Sequence, residues 1–245
     1  MTHIRKHRIL CYLALLLLQF FPLVAQKASP VPYEEIREEA ESSYGPDPDL
    51  LNGQKYNFTY RSAEGSPFFD VQDDALSSIQ IKGKIYRDER VKFDIYNQLV
   101  ILDFTDLAGA TGSIVLREDW VDYFSIGNIL FKKFPDKNGT GKFGQVLYEG
   151  RITCVYFWKK TFIPEQEEGE MHYRFSDPVR EAVTIFEGKV SSFKNRSSFI
   201  KCFPKELRGP VKSEIKSRHL RIKNAGDQEM QALMQYINQI PGYEE

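Results

Sequence analysis

Histidine and cysteine, the residues that most often hold metals or act as nucleophiles, are scarce here: four and three among 245 residues. His3, His7 and Cys11 fall within the first 25 residues, which leaves His172, His219, Cys154 and Cys202 for the rest of the chain. Beyond that segment there is no His-x-x-x-His or Cys-x-x-Cys spacing, so neither common zinc signature is present and no metal is expected. A Gly-x-Ser-x-Gly elbow is also missing. The glycine-dense loop Gly109-Ala110-Thr111-Gly112 lacks the lysine and the following helix of a phosphate cradle, so no cofactor is expected. Past residue 25 no apolar run approaches the roughly 20 residues that cross a bilayer, so no transmembrane segment is expected there.

What is present begins with a leader. Arg5, Lys6 and Arg8 precede an apolar run from Ile9 to Val24, broken only by Gln19 and Pro22 and ending at Ala25 before Gln26. A basic start, a short apolar core, a helix breaker and a small residue together read as a secretory signal peptide cleaved between Ala25 and Gln26. Cleavage removes three basic charges and shifts the formal balance from −1 to −4. Export exposes Cys154 and Cys202 to an oxidising compartment, which allows one disulfide between them. The alternative, and the favoured one, is that each packs separately as a small hydrophobe.

Four segments follow from the patterning: the signal peptide over 1–25, an acidic lead-in over 26–52, an antiparallel β domain over 53–193, and a basic helical tail over 194–245. The lead-in carries seven acids before residue 50, with a short helix expected from Tyr33 to Ser43 and partial order at best. From Lys55 onward apolar and polar residues alternate in short runs, as at Tyr56, Phe58 and Tyr60, or Val91, Phe93 and Ile95. Period-two alternation rich in aromatic and β-branched residues is the strand signature. The turn signals between runs lie too close together for helical crossovers, so the strands pair as antiparallel hairpins. So many strands should form a barrel or a sandwich. After Asn195 the period changes: Phe199, Phe203 and Leu207, then Met230, Leu233, Met234 and Ile237, repeat at helical spacing. Pro210 is expected to restart a helix and Asp227 to cap one. The fold expected is therefore mainly β, with two or three short C-terminal helices docked on the sheet.

Leu51 to Tyr56, Gly65-Ser66-Pro67-Phe68-Phe69, and Gly83-Lys84-Ile85-Tyr86 leading into Phe93-Asp94-Ile95-Tyr96-Asn97-Gln98 occur in an order that, with the lysine-rich tail, resembles a family of uncharacterised exported proteins of Bacteroidetes-type bacteria. The resemblance covers most of the chain after the leader, and its most distinctive stretch is Asp94-Ile95-Tyr96-Asn97-Gln98. It implies a β-rich body in a periplasmic or surface location and brings no catalytic residues. In a bacterial source the three Asn-x-Ser/Thr triplets at Asn57, Asn138 and Asn195 are chance matches.

Carboxylates are the acid–base stock in quantity. Asp94, Asp103, Asp106, Glu118 and Asp119 lie in or beside expected strands, and a facing pair ~5 to 9 Å apart would suit glycoside hydrolysis. Asp94 is flanked by Phe93, Ile95 and Tyr96, where its ordinary role is to bind backbone amides of the next turn. His172 and His219 read as structural or surface residues. The strongest local charge is basic: eleven Lys or Arg between Lys189 and Lys223, against Glu206 and Glu214. Within it Lys201, Lys212, Lys216, Arg218 and Arg221 are the residues expected to meet an anionic partner. Phe199 and Phe203 follow the apolar helix face and do not interleave as stacking platforms, so no nucleic acid is expected. The function expected is a non-catalytic envelope protein that binds a partner protein or an anionic surface polymer. A carboxylate-based periplasmic hydrolase is the second reading.

Overall fold

The computed structural model describes residues 36, 39, 40, 43, 45, 47–69, 77–106, 108–167 and 169–240. The expected cleavage site at Ala25 and Gln26 lies outside them. The chain divides into two units, Met1–Tyr44 and Gly45–Glu245. In the first, the described residues Ile36, Glu39, Ala40 and Ser43 are helical and exposed, inside the helix expected from Tyr33 to Ser43.

The second unit is a continuous antiparallel sheet followed by helices. Its strands are β1 (Gln54–Lys55), β2 (Ser77–Ile81), β3 (Lys84–Asp94), β4 (Leu99–Thr105), β5 (Thr111–Val115), β6 (Val121–Ile126), β7 (Ile129–Pro135), β8 (Gly141–Tyr148), β9 (Ile152–Lys159), β10 (Phe162–Glu167), β11 (Glu170–Phe175), β12 (Val179–Phe186) and β13 (Lys189–Phe193). Eleven of them form one sheet in the order β1-β5-β4-β3-β2-β6-β7-β8-β9-β12-β13, while β10 and β11 make a separate hairpin. The sheet does not close on itself, so of the two expected architectures it is the sandwich-like one. Three helices follow: α1 (Arg196–Lys201), α2 (Lys205–Ser217) and α3 (Asp227–Gln239).

Local sequence explains where these elements stop. The Asp136-Lys137-Asn138-Gly139 turn joins β7 to β8, with Asp136 accepting from the amides of Asn138 (2.8 Å) and Thr140 (3.0 Å). These bonds and the Lys142 ammonium at 2.9 Å hold the Asp136 carboxyl below the usual carboxylate range. Gly139 supplies the left-handed conformation that closes the turn, φ +79°. At the start of α1, Asn195 and Ser198 form a reciprocal cap: Ser198 N donates to Asn195 Oδ1 and Asn195 N to Ser198 Oγ, both at 3.0 Å.

Burial divides into two principal clusters. One gathers Ile79, Ile81, Phe93, Phe124, Phe131 and Phe143 from β2 to β8. The other sits beneath the helices, where Phe199, Val211, Ile215, Met230, Leu233 and Ile237 meet Ile152, Cys154 and Tyr156. Strand β9 separates the second cluster from a third on its opposite face, where Val155 and Phe157 meet Val183. Its run Ile152-Thr153-Cys154-Val155-Tyr156-Phe157 is buried without alternation because both faces are covered. Each large apolar side chain so buried contributes about 1.5–3 kcal/mol.

Four boundaries differ from expectation. The strand expected from Lys55 to Arg61 shortens to β1, and the residues after it are extended without a ladder. Tyr56 and Phe58 nevertheless both pack on Phe68, so the alternation marked a face correctly without marking a strand. The strand pattern running from Val121 to Phe134 in the sequence is expected as one stretch but forms two strands split at Gly127. Pro210 does not restart a helix but lies inside α2, where burial of Leu207, Val211 and Ile215 on one stripe carries the helix through it. Asp227 is the first residue of α3 and not its cap: Gly226 takes that place, its amide donating to Glu229 Oε2 at 2.9 Å. The end of the lead-in is also built into the fold. Leu50 is buried in the first cluster, and Asp47 Oδ2 accepts from Tyr86 Oη at 3.0 Å.

Candidate functional site

The five tail cations are distributed over α1, α2 and the segment after it. Lys212 and Lys216 are exposed one turn apart on α2, opposite no acid of that face. Arg218 instead pairs with Glu214, Nε to Oε1 at 2.5 Å. Lys201 is exposed at the end of α1, where its carbonyl accepts from Arg208 at 3.3 Å. Arg221 is exposed in the loop before a single 3₁₀ turn, Ile222–Asn224. Arg196 and Arg208 are engaged with backbone carbonyls, of Lys212 and of Phe203.

A denser set of cations surrounds a groove at the end of β9, β12 and β13, of about 430 Å³. Each cation arrives on a different element. Lys137 comes from the β7–β8 turn, Lys159 is the last residue of β9, Arg180 is the second of β12, Lys194 follows β13, and Lys223 lies in the 3₁₀ turn. The floor is apolar, with Ala182, Phe193 and Ile222. Pairing sets the register: Lys159 lies opposite Val179, and Ala182 opposite Phe193. Lys137 forms an ion pair with Glu181. Lys159, Lys194 and Lys223 are exposed and have no ion-pair partner among the described residues.

Arg180 is held from below. Its guanidinium lies 4.2 Å over the Tyr156 ring, NH1 is 3.3 Å from Asp227 Oδ1, and NH2 donates to the Ala225 carbonyl at 2.9 Å. Asp227 Oδ2 accepts from Gln145 Nε2 at 2.6 Å, and Gln145 Oε1 accepts from Trp158 Nε1 at 2.8 Å. This chain satisfies a buried glutamine and ties the first turn of α3 to β8, β9 and β12. Burial raises the pKa of Tyr156, so its hydroxyl stays neutral. Two of the groove cations, Lys194 and Lys223, belong to the basic stretch that the sequence singled out. The other three come from the β domain, far away in sequence, and only the strand register shows that they converge.

Four of the five carboxylates that the sequence offered have local partners. Asp94 is fully buried and accepts from the amides of Tyr96 (3.0 Å) and Asn97 (2.7 Å), from Asn97 Nδ2 (2.8 Å) and from Tyr56 Oη (3.4 Å). It shapes the turn between β3 and β4, where Gln98 takes φ +60°. Asp103 is engaged by Lys92 and by Ser113 Oγ, the latter at 2.5 Å. Asp106 accepts from the amides of Ala108 and Ala110 in its own loop, and Glu118 pairs with Lys133 at 3.1 Å.

The disulfide is absent: Cys154 and Cys202 are free thiols. Cys154 faces the helices from β9, fully buried, and burial pushes its thiol up to about 12. Cys202 follows α1, with Sγ 3.3 Å from the Ser198 carbonyl, and burial raises it as well. Each is occupied by its own packing. His172 is exposed on the β10–β11 hairpin, opposite Glu165. His219 adopts φ +53° and closes α2, so it is a surface feature of a helix end. No group of three metal-ligating side chains occurs among the described residues. None of the described helices is long and apolar enough to cross a membrane.

Comparison with family models, with curated proteins and with solved structures finds no match for this chain.

Proposed function

We propose that this is an exported, non-catalytic protein of the bacterial cell envelope that binds an anionic surface component in the groove at the end of β9, β12 and β13. One observation carries the reading: Lys159, Lys194 and Lys223 line one apolar-floored groove and have no ion-pair partner among the described residues, while the groove's acid, Glu181, is taken by Lys137. Unpaired ammonium groups grouped around a concavity attract anions and lose that attraction as salt screens them. The carboxylate that the sequence made most interesting, Asp94, is committed to a turn, which supports binding over hydrolysis. Export rests on the leader pattern before Gln26.

The test is retention of an envelope polysaccharide fraction by the isolated protein, compared with K159E/K194E/K223E and with the tail control K212E/K216E. The groove variant should lose about tenfold or more in affinity, the sum of several weak ion contacts, and the tail variant should bind as the parent. Equal binding by the groove variant and the parent sinks the proposal. N-terminal sequencing of the exported protein should begin at Gln26.

A further inference from the structure

The Lys137–Glu181 ion pair lines two cavities at once. One is the groove; the other, of about 340 Å³, lies beside it and is bounded by Asp136, Asn138, Lys142, Phe157 and Val183. Glu181 is the acid of the groove's rim, and the Lys137 ammonium covers its Oε1. Parting the pair would join the two spaces into one trough and free a fourth lysine.

On the strength of the groove reading, we propose that the ligand is an extended polycarboxylate chain, an acidic glycan with a carboxylate on successive sugars, and that it displaces Glu181 from Lys137. The cations line one groove but stand on separate elements, spaced across it. Lys159 ends β9 and Lys194 follows β13, with β12 between these strands, so two strand spacings of ~4.8 Å separate their backbones. A compact anion would touch one or two of them, whereas an extended chain meets each in turn. Arg180, the residue suited to grip a single phosphate with a planar fork, has NH1 and NH2 engaged with Asp227 and Ala225. The remaining groups are lysines, which act as point charges. Tyr156 and Phe193 are 1% and 4% exposed, and Arg180 covers the Tyr156 ring, so the groove has no free aromatic face on which a nucleobase would stack. Lys137 already holds a carboxylate, that of Glu181. A ligand carboxylate exchanges like for like, and Glu181 turns out to solvent.

The probes are galacturonate, a galacturonate decamer, an inorganic polyphosphate and an oligothymidylate, titrated into the isolated protein by calorimetry. The decamer should bind and the monomer should not at equal carboxylate concentration. Polyphosphate and oligothymidylate should bind more weakly than the decamer. E181Q should raise decamer affinity about two- to fivefold, the size of a half-exposed ion pair. K137M/E181Q should lose that gain, because the freed lysine is the new contact. Equal affinities for E181Q and K137M/E181Q would overturn the exchange, and a preference for polyphosphate would overturn the carboxylate assignment. The length series uses the parent protein alone and does not depend on any variant folding. If monomer and decamer bind alike while K159E/K194E/K223E still loses the envelope fraction, this inference falls and the groove reading stands. If that triple variant retains the fraction, both fall.

Discussion

The guanidinium of Arg180 lies 4.2 Å over the ring of Tyr156 and reaches past it to Asp227, the first residue of α3. One side chain thereby joins the groove to the packing of the last helix. The arrangement predicts that Arg180→Met weakens the protein, although it keeps most of the apolar stem. The loss should be about 1–3 kcal/mol, from one cation–π contact and the bonds to Asp227 and Ala225. Urea denaturation checks it, and an unchanged midpoint would show that the contact is incidental.

A second prediction concerns the other end of α3. Asn238 donates through Nδ2 to the carbonyls of Ile152 (3.0 Å) and Met234 (2.9 Å) and accepts from the Ile152 amide at 2.9 Å. Gly150 leaves room for it: a Cβ there would stand 2.8 Å from Asn238 Oδ1 and 2.7 Å from the Tyr148 ring. Gly150→Ala and Asn238→Ala should each cost about 1–3 kcal/mol, one by crowding and the other by leaving polar backbone unpaired. Because the two act on one contact, the double variant should cost less than the sum of the singles. Thermal melts of the three proteins test this.

How much of this was legible beforehand depended on distance along the chain. Asp94 with Asn97 was readable as a turn because a carboxylate bonding amides two and three residues ahead is a local event. The Asn195 boundary was readable for the same reason. Helical spacing of Met230, Leu233, Met234 and Ile237 exposed the buried face of α3. The groove was not legible, since Lys137, Lys159 and Arg180 become neighbours of Lys194 and Lys223 only through the register of β9, β12 and β13. The role of Asp227 was lost likewise. A carboxylate at a helix start looks like a cap until a glutamine 82 residues earlier claims it.

Asp47 makes a pH prediction. Burial alone would raise its pKa, but bonds from the Lys84 ammonium, the Asp49 amide and the Tyr86 hydroxyl outweigh burial and lower it. A carboxyl whose pKa is lower folded than unfolded stabilises the fold fully above its ordinary value near ~3.9. That stabilisation fades as the pH falls through the depressed folded value. Asp47→Asn should therefore lower the melting temperature at pH 7, and the gap to the parent should shrink as the pH drops below about 4. A gap that stays constant from pH 7 to pH 3 would show that the Asp47 charge is irrelevant to stability.

The cysteines supply the last prediction, and it separates an exported protein with free thiols from one with a disulfide. Cys154 is fully buried with its thiol pushed up to about 12, so near pH 8 almost none of it is thiolate. Attack on a disulfide reagent needs the thiolate and access to it, and burial removes both. Cys202 is only partly buried, but its Sγ lies against the Ser198 carbonyl and its thiol is also raised. The native processed protein should thus react slowly with a thiol reagent, Cys202 before Cys154. After denaturation without reductant both should react at once. Cys202→Ser should leave stability within about 0.5 kcal/mol, as expected for a partly exposed site with no covalent partner. Full protection in denaturant, released only by a reductant, would mean that the two sulfurs are bonded and that the surroundings of Cys202 differ from those described.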